Sequence, residues 1–398
     1  MPPDVSMLAD AAPTPERRRL VSRALAMYFV SAFGSMTSFY LLLSVVPLYA
    51  TSAGAGNAGA GFTTGALMLA TVCAELATPA LLARFGYRAV LAAGLVLLGA
   101  PALALTASAG LALILVVSLV RGVGLAILVV AGSALVAVLV PAERRSEGLG
   151  LLGVVVGVPA VLALPLGLWL VPRVGFSPVF VAGAAASIVC LLTIPMLPGR
   201  TATSGEPLGV LAGLRMPALV RPALVFFLTA MATGIVVTFL PLATRGLGRI
   251  AAAVLFANMV ATTVARWAAG RHGHRHPHGQ PGLLLGGVVL GAAGMLLLAG
   301  TANALLVGAG AVLLGIGFGV AQNASLTLMF ERVSAEGYDM VSALWNLAYD
   351  AGMGTGAAGF GLLASRVGYS AAFALVGGLM LVVLGPAWRG RDWMTADR

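Results

Sequence analysis

Two carboxyls and one guanidinium stand where the surrounding sequence is almost wholly apolar: Glu75 in TVCAELATPALL, Arg121 in VVSLVRGVGLA and Asp350 in LWNLAYDAGMGTG. Such groups can hold and release protons. Burial favours a neutral carboxyl and a nearby guanidinium favours an ionised one, so movement of either neighbour changes whether the proton is held. Around these groups lie hydroxyls, amides and aromatic rings suited to contacting an amphiphilic organic molecule: Ser31, Ser35 and Tyr40 early in the chain, Asn258 in the middle, and Gln322, Asn323, Trp345, Asn346 and Tyr349 toward the end. The alternative is structural, with Glu75 and Arg121 neutralising each other, Asp350 capping a kink at GMGTG (352–356), and the hydroxyls bonding between helices.

The medium that positions these groups follows from composition. Of 398 residues, 60% are hydrophobic and 9% charged, against about 25% charged in an ordinary soluble domain, and the mean hydropathy is +1.02. A membrane-spanning helix needs about 20 apolar residues, and twelve runs meet that need: 24–50, 61–83, 89–107, 110–140, 148–171, 178–197, 222–244, 250–270, 282–301, 303–329, 338–364 and 370–388. The expected fold is therefore an all-α membrane protein. A charge near the bilayer centre costs about 2.5 to 3.5 kcal/mol or more to insert, which makes each buried ionisable group a functional candidate. At about 1.5 Å per residue, Glu75 and Arg121 fall within about one helical turn of the same depth, and an ion pair between them is expected. Asp339, Ser342, Asn346 and Asp350 share one helical face.

All 23 basic residues are arginine. Eighteen fall in the tails, alternate loops and adjoining span ends of one side, Arg266 among them, against Arg173, Arg245, Arg249 and Arg366 on the other. The positive-inside rule then puts both termini in the cytoplasm. Basic loops against an anionic inner leaflet account for the net charge of +10 without a nucleic-acid partner. The first apolar run is too long for a signal peptide. Cys73 and Cys190 both fall inside spans and suggest neither a disulfide framework nor a metal site. His272, His274, His276 and His278 alternate in one loop without a companion Cys or carboxylate, and are read as basic surface, not metal ligands. No glycine run follows a strand and opens a helix, so no nucleotide site and no cofactor are expected.

The chain repeats itself. RVGFSPVF at 173–180 returns as RVGYSAAF at 366–373, an offset of 193 that also carries Gly122 and Gly124 onto Gly315 and Gly317, and Gly157 onto Asp350. ARFGYR at 83–88 matches GRHGHR at 270–275, sharing Arg84, Gly86 and Arg88 with Arg271, Gly273 and Arg275. Six runs per half is an even number, so both halves enter the membrane in the same sense, related by an axis along its normal.

These features resemble the major facilitator superfamily over essentially the whole chain. The resemblance implies two pseudo-symmetric six-helix bundles at 24–197 and 222–388, a cytoplasmic central loop at 198–221, and cytoplasmic tails at 1–23 and 389–398. It also implies a gating role for the Arg-x-Gly-x-Arg turns and a chain able to work as a monomer. Within the family, RGVG at 121–124 and the Gly/Pro-rich run at 148–167 resemble the drug:proton antiporter branch, which implies proton coupling through Arg121. Two departures from its pattern are Pro79 and Ala83 in the loop motif, and Val158 between Gly157 and Pro159 in the fifth run. The function expected is secondary transport, with efflux of a small amphiphilic compound against protons first, and proton-coupled uptake of a sugar, organic acid or metal chelate as the alternative. An intramembrane enzyme would need a nucleophile–base or metal set inside the spans, and every histidine lies outside them. The heavy Arg, Ala and Gly usage suits a high-GC bacterial gene and hence a bacterial inner membrane.

Overall fold

The computed structural model describes residues 22–140, 144–199, 213–247, 250–275, 279–334 and 337–389. The expected tails, most of the central loop, Arg249 and the loop histidines His276 and His278 lie outside them. Among the described residues every regular element is a helix. Six helices form the first half: α1 (Arg23–Leu43), α2 (Val45–Ser52), α3 (Gly56–Gly99), α4 (Leu111–Leu139), α5 (Arg145–Val174) and α6 (Phe176–Ile188). Five form the second: α7 (Pro217–Ala243), α8 (Ile250–Arg275), α9 (Gln280–Leu298), α10 (Ala304–Phe330) and α11 (Tyr338–Arg389).

Local chemistry sets where these helices begin and break. Ser22 caps α1 by accepting from the Leu25 amide at 3.2 Å, and Asn303 caps α10 by accepting from Leu305 and Leu306. Pro47 has no N–H to return to the Leu43 carbonyl, and the helix breaks at Ser44 between α1 and α2. Pro79, Pro159, Pro165 and Pro241, by contrast, lie inside continuous helices.

Ten helical stretches among the described residues are long and apolar enough to cross a membrane. Two are unusually long, Gly56–Thr106 with 51 residues and Met340–Val382 with 43. At about 1.5 Å per residue the first would measure about 77 Å, more than twice a hydrocarbon core of about 30 Å. Each contains a glycine outside helical geometry, Gly86 (φ 76, ψ 171) and Gly368 (φ 79, ψ 169). Gly175, between α5 and α6, has the same conformation (φ 82, ψ 179). Only glycine adopts this region freely, and in all three places it lets helical bonding resume without a loop.

The repeat in sequence is a repeat in packing. Within the first half α4 presses on α3: a Cβ on Gly122 would lie 2.1 Å from the Leu67 carbonyl. In the second half its repeat mate on α10, Gly315, meets the Asn258 carbonyl of α8 in the same way, at 2.5 Å. One turn along, Thr71 and Thr262 each return their hydroxyl to that carbonyl at 2.9 Å. The aromatic residues of the repeated phrase also do equivalent work, Phe176 and Phe180 packing with Tyr49, and Tyr369 and Phe373 joining the cluster of Phe239 and Phe360.

The halves meet closely toward the end that carries Gly175 and Gly368. Ser44 Oγ donates to the Val237 carbonyl (2.6 Å), the Thr64 and Thr238 hydroxyls pair (3.0 Å), Arg245 donates to Thr51 (2.6 Å) and Tyr369 donates to Asn57 (2.5 Å). There α3 and α11 touch through backbone, a Cβ on Gly61 falling 2.3 Å from the Ala357 carbonyl.

Candidate functional site: a central cavity between the halves

A cavity of about 380 Å³ lies between the two halves. Side chains from α1, α4, α5, α7, α8, α10 and α11 line it, and most are apolar. Its shape and lining are those of a small-molecule site, a largely apolar hollow with a few convergent polar groups.

Seven of the nine residues expected to contact a substrate line this cavity: Ser31, Ser35, Tyr40, Gln322, Trp345, Asn346 and Tyr349. Asn258 and Asn323 do not. Asn258 is buried against α10 and donates to the Ala311 carbonyl at 2.6 Å, which makes it an interhelical tie. Asn323 faces Gly270 on α8, and its side-chain oxygen is buried without a partner. Ser35 is also committed, donating to the Ala32 carbonyl at 3.0 Å, although its oxygen remains on the cavity wall.

One wall is a stack of rings. Phe226 and Trp345 lie nearly parallel with centroids 4.6 Å apart, Trp345 and Tyr349 are parallel within 8° at 6.3 Å, and Phe318 stacks on Phe226 and Tyr349. The Trp345 indole N–H donates to Ser325 at 3.0 Å, which fixes the ring plane.

The expected ion pair between Glu75 and Arg121 is not formed. Arg121 is 1% exposed and spends its donors on backbone, Nε to the Leu98 carbonyl at 3.0 Å and Nη2 to the Ser38 carbonyl at 3.1 Å. It ties α1, α3 and α4 together within the first half and does not line the cavity. Glu75 instead faces across to the other half, where its carboxyl lies beside that of Asp350, within reach of sharing a proton with it. Depth alone put Glu75 near Arg121, but the close glycine contacts between α3 and α11 bring Asp350 nearer. Asp350 is 7% exposed and lines the cavity, with Glu75 behind it and one Glu75 oxygen otherwise unpartnered.

The cavity holds one charged residue that the charge count assigned to a cytoplasmic span end. Arg266 lies on α8, half-buried, with Nη1 donating to Gln322 Oε1 at a long 3.4 Å and Nη2 over Gly157 of α5. Arg266 and Asp350 are the charged residues among the described lining, and both act electrostatically on Tyr40 and Tyr349. The repeat contained the missing signal. Aligned on Thr71 and Thr262, an offset of 191, Glu75 falls on Arg266; aligned on the loop motif, an offset of 187, it falls a turn away.

The residues of the two Arg-x-Gly-x-Arg turns are not part of the described cavity lining. Arg88 donates to the Leu197 carbonyl at 2.5 Å and the Tyr87 amide to Gly199 at 2.9 Å, fastening the turn to the end of the sixth span. Arg84 lies over Phe85 and Arg271 over Trp267. Gly273 and Arg275 close α8, and their side-chain surroundings lie outside the described residues. No group of three or more His, Cys, Asp or Glu that would hold a metal occurs among the described residues.

Comparison with known proteins identifies the family of this fold. The family model of the Major Facilitator Superfamily matches residues 28–357. The chain belongs to that superfamily. Among solved structures, a mutant of the nucleoside transporter NupG superposes with a TM-score of 0.75 at 12% identity, covering 94% of this chain and 100% of the other. The human organic anion transporter MFSD10 gives 0.62 at 19% identity, covering 93% and 99%. A bacterial homolog of the human lysosomal transporter Spinster, inward-facing and unoccupied, gives 0.67 at 14% identity, covering 90% and 92%. No curated protein sequence matches significantly. At these identities the structural likeness establishes the fold alone.

Proposed function

We propose that this superfamily member is a secondary active transporter that moves a small organic compound by alternating access, coupled to protons through Glu75 and Asp350. The observation that carries this reading is the acid pair, two carboxyls in contact across the seam between the halves, one of them on the cavity wall. A hydrogen bond between carboxyls requires a proton on one of them. With none, two like charges meet in a poorly screened seam and repel. Proton binding therefore draws α3 and α11 together and full deprotonation drives them apart, so proton occupancy is tied to the relative position of the halves.

The topology belongs to the same proposal. With Gly86 and Gly368 each turning the chain back through the membrane, the ten stretches become twelve crossings, and the arginine bias puts both termini in the cytoplasm of a bacterial cell. The hydrogen-bonded end then faces outward. The cavity, lined by Tyr28, Ser133 and Gly153 from the opposite ends of their helices, is reached from within. Arg121 serves by holding α1, α3 and α4 as one body.

The resemblance to drug:proton antiporters supports export of an amphiphilic compound against entering protons. A second reading, uptake of an organic acid with protons, is favoured by Arg266 in the cavity. The test is dye-reported proton release from acid-interior inverted vesicles when candidate compounds are added. Wild type should discharge its gradient with transported compounds, whereas Glu75→Gln and Asp350→Asn should not. Variants that respond like wild type would remove the pair from the proton path.

A further inference from the structure

The two seams between the halves are related by the internal repeat, and they are not equally filled. On one seam Glu75 of α3 meets Asp350 of α11. On the other, the repeat mates are Arg266 of α8 and Gly157 of α5. The second half supplies a carboxyl where the first half supplies none. A Cβ on Gly157 would lie 3.7 Å from Arg266 Nη2 with no other atom closer than 4 Å, so the place of the absent carboxyl is empty of side chain. Among the described residues Arg266 has a single side-chain hydrogen bond, the long one to a neutral amide. A guanidinium facing a low-dielectric hollow without an anion is a charge in want of one, and its planar fork is made for an acid group.

The ring stack supplies the other half of a ligand. Trp345 and Tyr349 face the same cavity, held parallel and backed by Phe226 and Phe318. A flat ring laid against them extends an existing stack at little reorganisation. Following the second functional reading, we propose that the cavity takes a planar organic anion, its acid group on Arg266 above Gly157 and its ring along Trp345 and Tyr349, and that this anion travels together with a proton.

The direction of coupling follows from the sign of charge, and this part rests on the reading of Glu75 and Asp350 as the proton site. Arg266 of α8, Tyr40 of α1 and Tyr349 of α11 share the cavity wall with Asp350, and both tyrosines lie within electrostatic reach of Arg266 and Asp350. An anion on Arg266 adds negative charge to the cavity that Asp350 lines, so ionised carboxyls are disfavoured and a proton binds more readily. By linkage the proton strengthens anion binding by the same factor. A cationic ligand would have the opposite sign, compete with the proton and exchange against it.

Binding of benzoate, 1-naphthoate and anthracene-9-carboxylate to the purified full-length protein, measured calorimetrically beside their neutral amides and methylammonium analogues, tests this. At least one acid should bind about tenfold tighter than its amide, with the ammonium compound weakest. Arg266→Gln should bring the acid down to the level of the amide, while Arg266→Lys keeps part of the preference. Between about pH 8.5 and about pH 6.5, where these acids stay ionised, acid affinity should rise severalfold, and Glu75→Gln should flatten the rise. Equal binding of acid and amide, preference for the ammonium compound, or no binding of any acid would overturn the anion site. An acid preference with no pH dependence would leave the anion site standing and remove the acid pair as the proton carrier.

Discussion

Arg121 and Arg266 show what a single residue reveals from sequence and what it conceals. That Arg121 matters is legible, because a guanidinium in an apolar run is expensive whatever its partner. Its partner is not legible, because helical rise fixes depth and leaves the facing direction to packing. Two carbonyl acceptors return about 1.5 to 3 kcal/mol each to a charged donor, against a desolvation penalty of several kcal/mol for the charge. Arg121→Met should therefore unfold at the same or a higher temperature than wild type, while transport falls sharply. A melting temperature lowered by many degrees would make Arg121 a tie for stability alone. Arg266 is hidden for a different reason: it lies five residues before Arg271 in a helix whose end is rich in arginine, where a charge tally reads it as an interfacial anchor.

Among elements, the glycines divide into those that let helices touch and those that leave room. Ala at Gly122 or Gly315 would drive a methyl into a carbonyl of the neighbouring helix, and each substitution should cost about 1 to 3 kcal/mol in thermal unfolding of the detergent-solubilised protein. Gly153 has nothing within 4 Å of its Cβ position and lines the cavity. Gly153→Ala should leave stability level or improve it by up to about 1 kcal/mol while weakening transport of the bulkiest substrates, seen as a narrowed range in the vesicle assay. Gly153 and Gly157 share the four-residue spacing of Gly352 and Gly356, yet of the two pairs the second is the one packed against a neighbouring helix, at Phe227 and Met231 of α7. The turns show the same limit. Their places are legible in ARFGYR and RVGY, but that one glycine suffices to make each, with no loop, is a matter of backbone geometry that composition does not carry. Gly368→Ala should cost about 1 to 3 kcal/mol for the same reason.

For the whole molecule, the parallel repeat and two halves follow from the sequence, since offsets survive in glycine pairs and in the repeated phrase. Which end is shut does not follow, because closure is a choice between two packings of the same surfaces. Thr64 and Thr238, paired at 3.0 Å across the shut end, offer a direct test. In a background with Cys73→Ser, a Thr64→Cys, Thr238→Cys double variant should cross-link under mild oxidant, stop transport and recover with reductant. Full transport by the cross-linked protein would mean that this end never opens.

The bonds across that end have one further property. They join hydroxyls, an amide, a phenol and one guanidinium to a hydroxyl, with no ion pair among them. Attraction between opposite charges fades as electrolyte is added, over a screening length of about 8 Å at physiological strength and about 3 Å at molar strength; short neutral contacts do not. If closure at this end rests on these bonds, the end should open at the same rate at low and at high ionic strength, so that transport keeps its pace from fresh water to brine.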